Sequence, residues 1–247
     1  VFQYFGRTEL SDEELNKAIA LSVAELHEAD EIFSRYKPDS PVSRLARGET
    51  ELQKLPEIVE YIWDECERWE KVTDGWFRSI DEANTFDPSG LVKAWATENA
   101  ALKLVEFGIT DFAINAGGDI RMSRNISPGI TRKVGISKPI SIANEESGAI
   151  AVLDLNDTEY FAVSTSGSAE RGEHIWVPKR RTQGILQVTV VAKDIITADV
   201  FATAAFAAGD QAGALLGKHE DELQAMVIDL DGNVFSTKGF AALVSPV

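Results

Sequence analysis

The chain has 247 residues, enough for one large domain or two small ones, and its 44% hydrophobic and 26% charged residues suit a protein with a sizeable core. Forty acidic against 24 basic residues give a formal net charge of −16 at pH 7, which argues against nucleic acid and anionic membrane surfaces, since both want basic patches. One cysteine, Cys66, leaves no internal disulfide, and no stretch reaches the roughly 18 apolar residues that a membrane span needs.

In chain order, residues 1–7 read as a strand. Ser11-Asp12-Glu13-Glu14 is a capping box: Ser11 accepts from the third amide of a helix and Glu14 reaches back. Leu15, Ile19, Leu26 and Phe33 mark one face of that helix, to about Phe33. His27 has no acids or cysteines in register and reads as a surface or half-buried histidine rather than a ligand. Residues 33–49 carry two prolines, two Ser–Arg pairs and a glycine, and so predict an irregular loop. It is either a plain connection or a loop presenting Tyr36 to a flat ring and Arg35 or Arg44 to a charged group. Residues 55–73 form a second amphipathic helix with Ile58, Val59, Ile62, Cys66 and Trp69 inward, ending at Asp74-Gly75; Cys66 reads as packing.

After Trp76-Phe77, a polar segment, 78–85, leads into residues 87–119, the centre of the chain. Asp87-Pro88-Ser89-Gly90 cannot continue a strand, because Pro88 fixes φ and Gly90 permits unusual φ; it reads as a loop feeding a helix. From Leu91, the spacing of Val92, Trp95, Ala96, Leu102 and Val105 predicts that helix, and Gly108 stops it. Phe112, Ala113 and Ile114 make a short buried strand, broken by Asn115-Ala116-Gly117-Gly118-Asp119. Two Gly-bearing turns around one helix–strand unit can carry phosphate or metal, or can be tight turns and nothing more.

Beyond Asp119 the chain turns mostly β: 133–137, 149–154, 160–165 and 187–192 are short β-branched or alternating runs. Thr165-Ser166-Gly167-Ser168 and the polar stretch 170–184 interrupt the series. Residues 199–208 predict a helix of small residues ended by Gly209, with a further helix within 210–218. Residues 226–229 and 234–236 form a hairpin around Asp231-Gly232. The irregular alternation, without repeats, predicts an α+β single domain with mixed or antiparallel sheets and packed helices.

Three chemistries compete. A Ser/His/Asp hydrolase would pair a serine of TSGS with His174, but no G-x-S-x-G stands on a strand–turn–helix. Zinc would need several His and Cys, whereas three His and one Cys are scattered. A hard-cation site fits better. Asp199 and Thr203 are four apart on one helix face, and a carboxylate, a hydroxyl and loop carbonyls are ligands that Mg²⁺ accepts together with a phosphate. The alternative is a capping Asp and a Thr bonding back to its own helix.

Five blocks, SRYKPDSPVSRL, TDGWF, DPSGLVKAWA, NAGGDI followed by VGISKP, and TSGSAERGEHI through ADVFATA, span residues 34 to 203. In that order they resemble the ApbE-type FAD:protein FMN transferases, with DPSGLVKAWA similar to a short bacterial branch of the family. The resemblance implies an ApbE-like, T-fold-related domain over residues 1–247 that binds FAD and Mg²⁺. It implies cleavage of FAD at the pyrophosphate and transfer of FMN onto a Thr hydroxyl of an acceptor protein, as a phosphoester, with release of AMP. By the same resemblance Asp199, Thr203 and the Gly90 carbonyl are the metal ligands, and Tyr36, Trp76, Phe77, Asp87, Lys93 and Trp176 contact FAD. His174 activates the acceptor hydroxyl, and Gly117–Gly118 shapes the pocket wall. Lys93 or Arg171 would stabilise charge on the departing AMP side.

The sequence departs from the family's H-x-x-D-P-x-T-G at HIWVPKRRTQG, where Val177 stands in the acid's place. Arg78 stands where a carboxylate is common. These departures raise the alternative of an FAD-binding or storage protein, or an FAD pyrophosphatase, of the same fold. No signal-peptide pattern is visible and the chain does not start with Met, so an N-terminal segment is expected to have been removed or left out. Its place is then cytoplasmic, or membrane-associated or exported if such a segment is missing.

Overall fold

Helix α1 (Asp12–Phe33) starts where its capping box puts it. The Ser11 side chain accepts from the Glu14 amide, and the Glu14 carboxylate accepts from the Ser11 hydroxyl and amide, which holds Glu14 below the usual carboxylate range. The computed structural model describes residues 1–81, 84–125, 127–139, 148–167 and 184–245. The buried face of α1 is Ala18, Ser22, Ala29 and Phe33, while Leu15, Ile19 and Leu26, expected inward, are half-buried. Small residues win the inner face because α1 lies close against a later helix: Ala18 shares one buried cluster with Ala100 and Ala101, and the Ser22 hydroxyl donates to the Ala100 carbonyl at 2.8 Å. His27 is exposed, as expected.

The segment 33–49 is not wholly irregular. It contains a short helix, α2 (Pro41–Ala46), with Pro41 in its first turn and Ser40 accepting from the Ser43 amide at 3.1 Å. Helix α3 (Glu57–Val72) buries Val59, Ile62, Cys66 and Trp69. It stops at Asp74 and Gly75, both left-handed (φ 54° and 73°), with the Gly75 amide donating back to the Glu70 carbonyl. Helix α4 (Ser89–Glu106) begins two residues before the predicted Leu91, so Gly90 belongs to its first turn and not to the loop. The Asp87 carboxylate makes this possible by accepting from the Ser89 amide at 3.0 Å.

The strands are β1 (Phe2–Arg7), β2 (Asp111–Ala116), β3 (Asp119–Met122), β4 (Lys133–Ser137), β5 (Ala149–Asp154), β6 (Ala162–Gly167), β7 (Ile185–Ala192), β8 (Leu223–Asp229) and β9 (Val234–Ser236). Seven form one sheet in the order β1-β2-β3-β6-β7-β8-β9, and β4 pairs with β5 separately. Every pairing among the described residues is antiparallel. The sequence placed a strand at 160–165 and a turn at TSG; the strand runs two residues later and takes Thr165-Ser166-Gly167 as its end. Pairing with β7, from Ala162–Ala192 to Gly167–Gln187, overrides the local turn signal.

Helix α5 (Ile195–Ala208) starts four residues before the predicted Asp199. Asp194 is its cap, accepting from the Thr197 amide and hydroxyl, both at 2.8 Å. Only Ile196, Thr197 and Thr203 of α5 are more than marginally exposed. Its alanines let it lie against β6, β7 and α4 at once. A short helix, α6 (Ala212–Leu216), follows. The sheet thus has α1, α4 and α5 on one face. On the other, β4 and β5 cover Met122, Val163, Val191 and Ile228 with Val134, Ile136 and Leu153.

Two consequences can be measured. Phe201 has no exposure and meets Trp69 edge-on at 6.1 Å and His219 at 4.6 Å, so Phe201→Ala should cost about 3–5 kcal/mol of unfolding free energy in a denaturant titration. Burial pushes the Cys66 thiol up from 9.0 to about 12. A raised folded value means its contribution to stability is whole below pH 9.0 and is lost as pH climbs toward about 12. Native protein at pH 8 should therefore resist iodoacetamide, and unfolded protein should be alkylated once, as intact mass will show.

Candidate active site

The β2–β3 turn decides where the site forms. Gly117 and Gly118 both have left-handed φ, 64° and 100°, the pair that a two-residue hairpin turn of this hand requires. The Asn115 side chain accepts from the Gly118 amide at 2.9 Å and closes the turn. Asp119 is thereby placed at the first position of β3. Alternation along the strand sends Asp119 and Arg121 to the helix face and Ile120 and Met122 to the opposite one. Both charged residues are nearly fully buried, and both find partners on α4. Arg121 pairs with Glu98 through two contacts, Nε–Oε2 at 2.7 Å and Nη2–Oε1 at 2.9 Å, and Asp119 pairs with the Lys93 ammonium. Two residues of strand and five of helix cover nearly the same rise, so β3 and α4 are clasped twice.

Lys93 also reaches the Asp199 carboxylate of α5, at 3.3 Å. Asp199 is 3% exposed and Asp119 1%. Ser164 of β6, with no exposure, donates to Asp119 and lies 3.4 Å from Asp199 Oδ1, and the Thr165 amide donates to Asp119 at 3.2 Å. Four elements, α4, α5, β3 and β6, thus converge on two carboxylates and one ammonium. Buried charge survives when it is paired and hydrogen-bonded, and Lys93 and Ser164 each reach both carboxylates, leaving these three groups with one net negative charge. Lys93 is 22% exposed at its side chain, so the cluster reaches solvent on that side.

The expected site residues distribute as follows. Lys93 and Asp199 are in direct contact. Thr203 is half-buried one turn beyond Asp199 on the same face of α5. The early start of α5 removes the reading of Asp199 as a capping residue, since Asp194 does that work. Gly90 lies one turn before Lys93, where a Cβ would come within 3.1 Å of the Phe77 ring, so the first turn of α4 sits on Phe77. Trp76 and Phe77 are 8% and 1% exposed and belong to the main core. Tyr36 is 98% exposed; its neighbour Arg35 donates to the Phe86 carbonyl at 2.7 Å, which pins that loop beside the Asp87 turn. Arg78 pairs with Glu70 at 3.0 Å. His174, Trp176, Arg171, Ser168 and Val177 lie outside the described residues.

Asp119 and Ser164 are the residues that reading the sequence missed. Gly117–Gly118 was expected only to shape the pocket wall, yet the turn also fixes a buried carboxylate. The signal available was an acid directly after a Gly-Gly turn, followed two residues later by an arginine. Nothing local marked Ser164.

Among the described residues, no group of three or more His, Cys, Asp or Glu is arranged to hold a metal, and no helix is long and apolar enough to cross a membrane. Any cation held here would have to be a hard one. Asp199, the Thr203 hydroxyl and a backbone carbonyl are an oxygen set of the kind Mg²⁺ takes when substrate phosphate and water complete its shell.

Comparison with known proteins gives a consistent assignment. The model of the ApbE family matches residues 78–227. A relative from Vibrio cholerae serotype O1, named FAD:protein FMN transferase, is 24% identical over 156 residues, covering 59% of this chain and 45% of the relative. Another of the same name from Rhodobacter capsulatus is 27% identical over 186 residues, covering 71% of this chain and 34% of the relative. The chain thus matches less than half the length of these curated relatives. The solved flavin transferase ApbE from Vibrio cholerae superposes with a TM-score of 0.77 at 19% identity, over 98% of this chain and 94% of that one. The flavinyl transferase ApbE of Pseudomonas stutzeri does so with a TM-score of 0.77 at 19% identity, over 100% and 98%. These structures share the α+β fold described above, and with the family model matched across more than half its length, the chain belongs to the ApbE family.

Proposed function

We propose that the protein is a Mg²⁺-dependent FAD:protein FMN transferase, with residues 1–247 acting as one flavin transferase-like domain. It cleaves FAD at the pyrophosphate and joins FMN through a phosphoester to a Thr of an acceptor protein, releasing AMP. The observation that carries this reading is the buried cluster of Lys93, Asp119 and Asp199, contributed by three sequence blocks that are far apart in the chain. Family membership and the name shared by both curated relatives support the same reaction.

In this mechanism Asp199, Thr203 and the Gly90 carbonyl would supply oxygen donors for the cation. Mg²⁺ bound there would neutralise pyrophosphate charge, which is most of what phosphoryl-type transfer asks of a protein. Ser164 holds both carboxylates in one orientation. Lys93 brings a positive charge to the mouth of the cluster, where it counters charge growing on the departing AMP phosphate. Tyr36, Trp76, Phe77, Asp87 and Trp176 are assigned to FAD. The acceptor hydroxyl attacks the FMN phosphorus, its proton passes to His174, and the bond to the AMP phosphate oxygen breaks. In an acidic protein Lys93 offsets part of a bulk field that is unfavourable to an anionic substrate.

Two measurements test this reading. Incubation with FAD, Mg²⁺ and an acceptor protein, followed by intact-mass spectrometry, should give an FMN adduct on the acceptor and one AMP per adduct. AMP and free FMN without adduct would instead identify a pyrophosphatase, and tight FAD binding without products a carrier. Asp199→Ala should lower the rate by about a hundredfold or more, and FAD binding to wild type should tighten when Mg²⁺ is added but not in this variant. Equal Mg²⁺ dependence in both proteins would remove Asp199 from the metal site.

A further inference from the structure

The face of the sheet away from Asp119 holds a cavity of about 590 Å³ between β1–β2–β3 and the segment leading into β4. Its apolar walls include Phe5, Met122, Ile130 and Val134. Strand alternation separates it from the active-site cluster, because Ile120 and Met122 point here while Asp119 and Arg121 point to α4. Its size is that of a small-molecule site, and so is its mixture of apolar wall and few polar groups.

The charged groups on its lining are unequally satisfied. The Asp111 carboxylate accepts from the Ser127 amide at 2.6 Å, and Lys133 pairs with Asp154 at 3.6 Å. Arg132 differs. Its guanidinium lies over the Phe161 ring, 5.1 Å from the centroid, and its Nε and Nη1 are buried without a hydrogen-bond partner among the described residues. Burial lowers the Arg132 pKa, and the nearby Asp157 charge offsets that only in part. Buried donors of a charged group cost stability when no acceptor meets them, and a guanidinium is the side chain best suited to carboxylate and phosphate oxygens.

We propose that this cavity is a second ligand site that takes a small amphiphilic anion, with its carboxylate or phosphate head on Arg132 and its apolar body against Phe5, Met122, Ile130 and Val134. The site is independent of the flavin reaction. It is tested by calorimetric titration of the full chain with octanoate, with and without saturating FAD. Octanoate should bind at one site with the same affinity in both conditions. Arg132→Met should weaken it by about tenfold or more, the loss expected when a charged hydrogen-bonding partner is removed. Octanol and inorganic phosphate, each carrying half of the recognised features, should bind at least about tenfold more weakly than octanoate. Competition by FAD, unchanged binding by Arg132→Met, phosphate binding as tight as octanoate, or no octanoate binding at millimolar concentration would each overturn the proposal. If Arg132→Met does not fold, Ile130→Trp fills the cavity from a loop position and should abolish octanoate binding; retained affinity would overturn the proposal equally.

Discussion

The contact on which most of this structure depends is the one between Lys93 and two buried aspartates. Removing Lys93 leaves two buried carboxylates without their shared cation, a far larger penalty than the loss of a surface pair. The same contact ties four elements together: α4 through Lys93, β3 through Asp119, α5 through Asp199, and β6 through Ser164. Helix packing here is therefore not set by apolar surface alone. The polar cluster fixes which residues of α4 and α5 face each other, and the alanines of α5 permit the approach.

That division of labour explains why α5 can be almost wholly buried and still carry an acid. Runs of alanine do little by themselves to fix a helix's register, since one small residue resembles the next. A single buried carboxylate with a fixed ammonium and hydroxyl allows only one register, much as a lone polar residue sets register in a coiled coil. Stability is drawn from the alanines and from Phe201, and specificity from Asp199.

What could be read from the sequence follows the range of the forces involved. The start of α1 was legible because Ser11 and Glu14 satisfy each other within four residues. The ends of α3 and α4 were legible because Gly75 and Gly108 take a left-handed φ that few other residues tolerate. The start of α5 was missed because Ile195, Ile196 and Thr197 are β-branched and continue the look of β7, while the deciding cap, Asp194, is a single residue. The end of β6 was missed because Thr-Ser-Gly has turn chemistry, and only its strand neighbours make it extended. At the candidate site, Lys93, Asp199 and Thr203 are expected from the family resemblance and helical spacing, and the structure brings Lys93 and Asp199 into contact. Asp119 and Ser164 stand opposite each other across a strand pair, a relation that no local pattern records.

The pairing of β1 bears on how the chain reaches this state. Phe2 lies beside Ala116 and Arg7 beside Asp111, so the strand near the start of the sequence has its sheet neighbour, among the described residues, beyond the four helices α1 to α4. At a synthesis rate of roughly 5–20 residues per second, β1 waits on the order of ten seconds before β2 exists. Contacts of such long sequence separation also close slowly once both partners are present. Through that interval both backbone edges of β1 are open to other chains, and one stays open in the folded sheet, where β1 is the edge strand and Phe2 and Phe5 remain exposed.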